Sequence, residues 1–447
     1  MVHIAVEGCC HGQLNKIYSM LISSQVDLLL ICGDFQAIRN RGDLQGMAVP
    51  AKYLQLGDFH EYYSGKRTAP VLTVFIGGNH ESSSYLKELK YGGWVAPNIY
   101  FLGEYGTIWF RGLKISGLSG IYNSKSFLMN YYKDEILPYT EKSIRTVYHV
   151  NPKNTLKMLL EETPGDIVLS HDWPQGIELL GDSKRLFQTK PHFRADSIKG
   201  YLGSPVNKCL LQYLKPRYWF LSHMHVRYRV KFKHQLPSTQ TQIPTNNKDL
   251  IDLDMDDDDI NPEKIELDME SEDEDLKPSA TKQTVSSPAP KRDTTEFLAL
   301  DKCLPKRKYL EFLDIEPVQD HPSILHPDSL FYDRRSICIN KVVETFIVQN
   351  EKEWKSLNSR SLIGKLPEKT PIYIKLMRLI AKELESEIKF ADNDVALRIP
   401  ENFEIIAPTL SQEKSDLDHK QVLTYWPNNQ TEQYCKTFGI PNIKYRW

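Results

Sequence analysis

The chain has 447 residues, of which 40% are hydrophobic and 11% aromatic, so it can form a sizeable core but is too long for one ordinary core. No run of about 18 apolar residues occurs, and residues 1–6 lead into a predicted strand without a basic leader, so we expect neither a membrane span nor a secretion signal. The seven cysteines are scattered without a disulfide or paired zinc spacing, which favours a reducing compartment.

The net charge of -2 conceals a strong asymmetry along the chain. Residues 249–275 hold 15 Asp and Glu against one Lys, which is a local net charge of -14. Because the whole chain carries -2, the remainder carries +12. This balance suits a polyanionic partner, although lysines that only solvate the surface would give the same count.

Up to residue 234, short apolar runs rich in β-forming residues alternate with polar or helical connections, which predicts an α/β sandwich with flanking helices. Polar loops rich in Gly, Asp, Asn and His follow several runs, and ligands usually bind at that edge of an α/β sheet. We treat residues 1–234 as the first domain. The predicted strands are residues 3–6, 27–31, 71–76, 107–116, 166–170 and 218–222.

Residues 235–293 are rich in Ser, Thr, Pro, Lys and acidic side chains. Such a segment cannot bury enough apolar surface to offset the entropy of ordering, so we predict a disordered acidic linker. Residues 294–447 are predicted to form a smaller C-terminal domain. Within it, residues 374–390 have the apolar spacing of a helix.

Five short motifs directly follow predicted strands. They are Gly8-Cys9-Cys10-His11-Gly12, Gly33-Asp34-Phe35, Gly77-Gly78-Asn79-His80-Glu81, Ser170-His171-Asp172 and Ser222-His223-Met224-His225. One histidine is more often structural than a ligand, but that explanation would have to hold at five equivalent places. A dinuclear site for phosphoryl transfer needs one bridging carboxylate, for which Asp34 is the candidate, and neutral ligands to complete each shell. Imidazoles with the amide oxygen of Asn79 favour Mn²⁺, Fe²⁺ or Zn²⁺ over Mg²⁺.

In order and spacing, these motifs resemble the D-x-H, G-D, G-N-H, H and G-H-x-H signature of calcineurin-like metallophosphoesterases, over roughly residues 2–230. The resemblance implies the metallophosphoesterase β-sandwich. Cys9 stands where most of that superfamily has Asp, and Ser222 stands where it has Gly. A thiolate softens the metal position toward Zn²⁺ or Fe²⁺, whereas a purely structural Cys9 would be a small buried side chain.

The motif at residues 8–12, with its Cys, is similar to RNA lariat debranching enzymes. The resemblance implies hydrolysis of the 2'-5' phosphodiester at the branch point of excised intron lariats, which gives linear intron RNA. It also implies a nuclear location, with the cytoplasm left open, and spliceosome-associated or RNA-turnover proteins as partners; the oligomeric state is left undetermined. Further stretches similar to this family are residues 33–40, 91–98, 118–122, 171–174, 202–205, 300–305 and 429–431.

Carried over residue by residue, the resemblance implies one or two divalent ions and a metal-bound hydroxide as nucleophile. His80 would protonate the leaving 2'-oxygen as general acid, and its alternative role is to orient Asn79 or a metal-bound water. One ion would be held by Cys9, His11, Asp34 and His225, and the other by Asp34, Asn79, His171 and His223.

Residues 119–151 form a long insertion that corresponds to the lariat recognition loop of this family. Its aromatic side chains suit stacking on splayed bases, and its cations suit pairing with phosphates. Asn151 stands where the family usually has Arg. The candidate substrate-binding residues are Tyr122, Lys125, Lys133, Arg145 and Tyr148.

Two other functions share part of this pattern. A metallophosphoesterase acting on another phosphodiester or on a phosphomonoester would have the same metal ligands, but Cys9, the insertion and the C-terminal stretches favour lariat RNA. A scaffold protein with this fold would typically have lost catalytic histidines, which all remain here. The acidic linker is interpreted as a spacer, with a partner-binding tail and an RNA mimic as alternatives.

Overall fold

The computed structural model describes residues 1–129, 137–162, 165–234, 293–317, 320–386, 397–412 and 425–442. The predicted disorder of the linker concerns residues outside these ranges, apart from Asp293. No helix in the described part of the chain combines the length and apolar character needed to cross a bilayer. The strands are β1 Val2–Glu7, β2 Leu28–Ile31, β3 Thr73–Phe75, β4 Gly93–Ala96, β5 Ile99–Phe101, β6 Tyr105–Phe110, β7 Leu113–Leu118, β8 Ile167–Ser170, β9 Tyr218–Leu221, β10 Tyr228–Lys233, β11 Thr294–Ala299, β12 Leu310–Ile315 and β13 Phe331–Tyr332.

Helices cover the outer faces of the sheets. The predicted helix at residues 374–390 is confirmed up to residue 386, and the rest of that range lies outside the described residues. The helices are α1 Leu14–Leu21, α2 Phe59–Tyr63, α3 Ser83–Glu88, α4 Ser124–Leu128, α5 Ser143–Thr146, α6 Pro152–Leu159, α7 Ser183–Thr189, α8 Phe193–Lys199, α9 Pro205–Leu214, α10 Arg334–Gln349, α11 Glu351–Lys355, α12 Pro371–Ser386 and α13 Asn429–Phe438.

The strands form two sheets, with orders β12-β1-β2-β3-β5-β4 and β10-β11-β9-β8-β7-β6-β13. Side chains of successive residues in a strand point to opposite faces. In β2, Leu28 and Leu30 face the core between the sheets, whereas Leu29 and Ile31 pack with α1 on the outer face. Burial of both faces explains why the strands are almost continuously apolar, and the predicted α/β sandwich is confirmed.

The predicted single strand at residues 107–116 is wrong, because the structure has two antiparallel strands there, β6 and β7. The chain reverses at Arg111 and Gly112, whose φ angles of 44° and 78° are left-handed. Two such residues form the tight turn whose twist matches a β-hairpin. An arginine gives no strong local signal for this turn, so the apolar pattern looked continuous.

Residues that follow the acidic linker complete both sheets. Strand β11 lies between β10 and β9, where it runs parallel to β9, and β12 pairs antiparallel with β1. Residues 1–234 and 292–447 consequently form one compact unit. The backbone N–H of His234 donates to the carbonyl of Asp293 at 2.8 Å, so the two ends of the linker leave the unit side by side.

A buried ionic group joins α6 to α10. The Nζ atoms of Lys153 and Lys157 lie 3.2 and 2.6 Å from one carboxylate oxygen of Glu344. Burial opposes ionisation of Glu344, but the two lysines lower its pKa to about 2. Burial lowers the pKa of Lys157 to about 8, so this lysine is still protonated at neutral pH.

The variant Glu344→Gln is expected to lose about 3 kcal/mol or more of unfolding free energy at pH 7, because two buried ammonium groups lose the carboxylate that they share. Since the pKa of Glu344 lies below its ordinary value of 4.5, the carboxylate stabilises the fold above about pH 4.5. That stabilisation is lost as the pH falls toward 2, so the variant should be less sensitive to acid than the parent. Chemical unfolding at several pH values tests both effects. The control Glu353→Gln, from a half-exposed pair with Lys375, should change little.

Candidate metal centre

The five predicted motifs meet at one edge of the two sheets. Strands β1, β2 and β3 are parallel in the first sheet, and β8 and β9 are parallel in the second. Their carboxyl ends therefore point the same way within each sheet, and each is followed by one motif. The structure brings together all seven predicted metal ligands and His80 at this edge. These side chains contact one another through hydrogen bonds, close polar pairs and ring contacts.

One group of side chains, the Cys9 cluster, consists of Cys9, His11, Asp34 and His225. One ligand atom from each of the four lies within 4.8 Å of the others. The Nε2 atom of His11 is 3.7 Å from Oδ2 of Asp34 and 3.3 Å from Nε2 of His225. A thiol, two imidazoles and a carboxylate are the donors that zinc and iron prefer, so these residues fit a divalent transition metal.

A second group, the His171 cluster, consists of Asp34, Asn79, His171 and His223. The Nε2 atom of His171 lies 3.3 Å from Oδ1 of Asp34 and 3.2 Å from Oδ1 of Asn79. The rings of His171 and His223 are 5.0 Å apart between centroids. Asp34 thus turns one oxygen to each cluster, which is the arrangement required of a bridging carboxylate.

Four metal-ligand candidates have backbone conformations that side chains rarely adopt. The φ angles of His11, Asp34, His223 and His225 are 45°, 48°, 65° and 49°. Such left-handed residues cost of order 1 kcal/mol or more each and concentrate at functional sites. Here they turn the chain sharply after β1, β2 and β9 and direct the side chains to a common centre.

Two glycines of the motifs allow these groups to approach each other. A Cβ atom at Gly33 would lie 2.2 Å from Nδ1 of His171, and one at Gly78 would lie 2.2 Å from Oδ1 of Asp34. Neither position can carry a side chain without moving a ligand. The glycines in the G-D and G-G-N-H motifs are therefore part of the site.

His171 is oriented by its second ring nitrogen. Its Nδ1 atom is 2.8 Å from the carbonyl of Cys32 and 3.1 Å from Oγ of Ser222, and that hydroxyl donates to the same carbonyl at 2.9 Å. A proton on Nδ1 satisfies the carbonyl and leaves Nε2 with a lone pair for metal. Ser222, which stands in place of the superfamily's Gly, is thus a positioning residue that the sequence prediction missed.

Glu81 was also missed as part of the site. It is fully buried and accepts backbone N–H groups of Phe35, Gln36 and Gly78 at 2.7, 2.8 and 3.0 Å. Burial, with the charge of Asp34 added, raises its pKa to about 7. Glu81 therefore ties the loop after β2 to the loop after β3. Its position directly after Asn79-His80 was the signal available in the sequence.

The protonation of four members of the clusters suits metal binding. Burial, together with neighbouring charges, lowers the pKa of His11 to about 4 and that of His223 to about 3, and it also lowers the pKa of His225. Burial opposes the charge on Asp34, but His171 and the other imidazoles hold its pKa well below the usual range. At neutral pH these groups therefore have free lone pairs.

His171 and Cys9 differ from these four groups. Burial opposes the charge on His171, but Asp34 raises its pKa, and burial and then Asp34 raise the pKa of the Cys9 thiol. Its Sγ accepts the backbone N–H of His223 at 3.2 Å. A coordinating cation displaces the proton of a thiol, so metal binding at Cys9 releases a proton.

His80 lies beside both clusters. Its backbone N–H donates to Oδ1 of Asp34 at 2.9 Å, and its ring centroid is 5.4 Å from that of His11. The side chain is partly exposed. It is therefore held next to the bridging carboxylate while remaining within reach of a bound molecule.

The predicted recognition loop, residues 119–151, is described except for residues 130–136, so the predicted contact Lys133 lies outside the described residues. The backbone N–H of Tyr122 donates to Asp172 at 3.2 Å, which attaches the start of the loop to the motif of His171. Tyr148 is partly buried, whereas the other two described candidates, Lys125 on α4 and Arg145 on α5, are exposed.

Asn151, which stands where the family usually has Arg, has a structural role at the end of the predicted recognition loop. Its side chain accepts the N–H of Asn154 at 2.8 Å and caps α6, whose first residue is Pro152. Asparagine is among the best residues for this cap, and arginine cannot accept the bond. The exchange therefore stabilises the helix that follows the loop.

The fold and site define a calcineurin-like phosphoesterase, and residues 2–227 match the family model of that description. Enzymes of this class use divalent metal ions. Residues 292–443 match the model described as lariat debranching enzyme, C-terminal domain.

Similarity to individual proteins extends over the whole chain. It is 38% identical to the lariat debranching enzyme of Gallus gallus, with 99% of this chain and 71% of that protein covered. It is 37% identical to that of Homo sapiens, with 100% and 70% covered. It is 36% identical to that of Schizosaccharomyces pombe, with 98% and 96% covered. The chain belongs to the lariat debranching enzyme family, and the predicted resemblance is confirmed.

Proposed function

We propose that this enzyme hydrolyses the 2'-5' phosphodiester at the branch point of excised intron lariats and releases linear intron RNA. The main observation is that Asp34 presents one oxygen to each of two ligand clusters beside the recognition loop. Family membership over both halves of the chain supports branched RNA as the substrate.

The Cys9 cluster would hold one divalent ion and the His171 cluster the other. Bound divalent ions supply an activated water for in-line attack and neutralise charge on the phosphate. The thiol of Cys9 favours Zn²⁺ or Fe²⁺ in its cluster, and the nitrogen and oxygen donors of the other cluster suit Mn²⁺, Fe²⁺ or Zn²⁺.

His80 serves as the general acid. During hydrolysis the bond between phosphorus and the 2'-oxygen breaks, a new bond to a water oxygen forms, and the leaving 2'-oxygen requires a proton. The imidazolium form of a histidine has an N–H that can donate this proton. The backbone N–H of His80 donates to Asp34, which places this residue beside the bridging carboxylate, where its imidazole would reach a bound phosphate.

Substrate selectivity is tested with a synthetic RNA that contains one 2'-5' branch and with its linear 3'-5' counterpart, both incubated with purified enzyme and Mn²⁺. Cleavage of the branch alone supports the proposal. Equal cleavage of both RNAs would favour the alternative, a phosphoesterase for other phosphodiesters or phosphomonoesters, and cleavage of neither would favour a scaffold. A His80→Ala sample excludes contaminating nucleases, because their activity would persist in it.

The variant Cys9→Asp is expected to shift metal preference toward Mn²⁺. A carboxylate is a harder ligand than a thiolate, so the affinity for Zn²⁺ relative to Mn²⁺ should fall by about tenfold or more. Competitive metal titration of the chelator-treated protein measures this ratio. Cys435→Ser, which changes a buried thiol on α13, serves as control, and an unchanged ratio in Cys9→Asp would assign Cys9 a purely structural role.

We also propose a nuclear location and contacts with spliceosome-associated or RNA-turnover proteins, because excised introns arise where splicing occurs. The basic sequence at residues 306–308 is compatible with nuclear import. A fluorescent fusion, compared with a variant neutralised at residues 306–308, tests the location.

A further inference from the structure

The turn between β11 and β12 lies directly against the metal-binding loop that follows β1. The N–H of Cys9 donates to the carbonyl of Asp301 at 3.3 Å, and the N–H of Cys303 donates to the carbonyl of Cys9 at 3.1 Å. A Cβ atom at Gly8 would lie 2.1 Å from the carbonyl oxygen of Asp301. This turn is therefore held in a fixed position beside the Cys9 cluster.

The same turn carries four cations, Lys302, Lys306, Arg307 and Lys308, which we call the basic rim. Lys306 and Lys308 are exposed, and the other two are partly exposed. Within the turn, Asp301 is the one carboxylate, and it accepts from Nη1 of Arg307 at 3.5 Å. Positive charge is thus in clear excess on this rigid surface.

The basic rim begins directly beside the Cys9 cluster. Lys302 forms a parallel bridge with Cys9, and its charge acts on the imidazoles of both His11 and His225. Lys190, which follows α7, interacts with Asp301 as well as with Arg307 and Lys302, but it is buried and is not part of the exposed rim. The exposed positive charge is therefore carried by the turn itself.

Sheet topology places the basic rim and the recognition loop on opposite sides of the metal ligands. In the second sheet the order is β11-β9-β8-β7. The rim follows β11, and the recognition loop follows β7. The motifs that follow β9 and β8, which supply three of the histidines, lie between them. An RNA that contacts the recognition loop and crosses the ligands meets the rim next.

We propose that the basic rim binds the phosphodiester backbone of the RNA arm that leaves the branch point on the side away from the recognition loop. The proposal rests on the debranching function. Lysine and arginine bind phosphates through charge and release counter-ions, independently of base sequence. The turn therefore holds single-stranded RNA, and this role is separate from the chemistry at the metal clusters.

The test compares two kinds of branched RNA. One has a single nucleotide on each arm, and in the others one arm at a time is lengthened to about ten nucleotides, a typical length for single-strand binding. The ratio of kcat/KM for the long-armed RNA to that for the short RNA is measured at several salt concentrations. The variant carries Lys306→Gln, Arg307→Gln and Lys308→Gln. The matched control carries Lys215→Gln, Lys231→Gln and Lys233→Gln. Lys215 precedes β9, and Lys231 and Lys233 pair with the first half of β11, whereas the rim follows the end of β11.

In the rim variant the ratio should fall on the order of tenfold for one of the long arms. A plot of log kcat/KM against log salt concentration for that RNA should become less steep by about 2, because each of the three lost phosphate contacts contributes roughly 0.7 to the slope. The control variant should keep the parent ratio. The proposal is overturned if the rim variant keeps the parent ratio for every arm, or if the control loses it equally. Failure of the debranching function would be seen separately, as absence of cleavage of the short branched RNA by the parent enzyme.

Discussion

Asp34→Asn is expected to abolish debranching, with a loss in kcat of more than about 10³-fold. This loss corresponds to several kcal/mol less stabilisation of the transition state by the bound ions. Asp34 contacts both clusters, with one oxygen 3.7 Å from His11 and the other 3.3 Å from His171. An amide has one oxygen and no charge, so it cannot bridge two cations. Elemental analysis and single-turnover kinetics measure metal content and rate together.

Asp314→Asn is the control for Asp34→Asn, because Asp314 is an exposed carboxylate on β12 and pairs with His3 rather than with the site. This control should retain both metal and rate. Two bound ions and a parental rate in Asp34→Asn would contradict the bridging role. Thermal unfolding without metal separates that outcome from a folding defect.

His80→Gln is expected to lower kcat on branched RNA by about 10² to 10⁴-fold, the usual contribution of a general acid. Glutamine occupies a similar volume but cannot donate a proton in this way, so bound metal should be retained. On a phosphodiester with a nitrophenolate leaving group, which needs no protonation, the loss should be much smaller.

The second substrate distinguishes the two roles of His80. If His80 only orients Asn79 or a bound water, the loss in His80→Gln will be equal on the branched RNA and on the nitrophenyl ester. Glu178→Gln provides a control, because this buried carboxylate accepts a bond from Ser197 and takes no part in either cluster. It should leave the ratio between the two substrates at its parental value.

The meeting of the candidate metal ligands could be predicted because each belongs to a short motif that directly follows a strand. The apolar runs locate the strands, and parallel strands bring their carboxyl ends together. Ser222 and Glu81 could not be predicted in this way, because neither is a common metal ligand. Their roles depend on which carbonyl and N–H groups lie opposite them once the loops have folded.

The placement of β11 and β12 could not be predicted from local pattern. Residues 294–447 follow a long acidic stretch, and this position predicts a C-terminal domain. In the structure β11 pairs with β9 and β10, and β12 pairs with β1, which lies more than 300 residues earlier, as in Val2 opposite Ile315. Periodicity gives the faces of a strand but not its partner.

The central claim is that the enzyme hydrolyses the bond between phosphorus and the 2'-oxygen of a branched RNA. The most direct measurement is mass spectrometry of both products after a single turnover of branched RNA in water enriched in oxygen-18. We predict a free 2'-hydroxyl at the former branch nucleotide and a 5'-monophosphate with one heavy oxygen on the released arm. A phosphate left on the 2'-oxygen, or a cyclic phosphate without heavy oxygen, would contradict the proposed reaction.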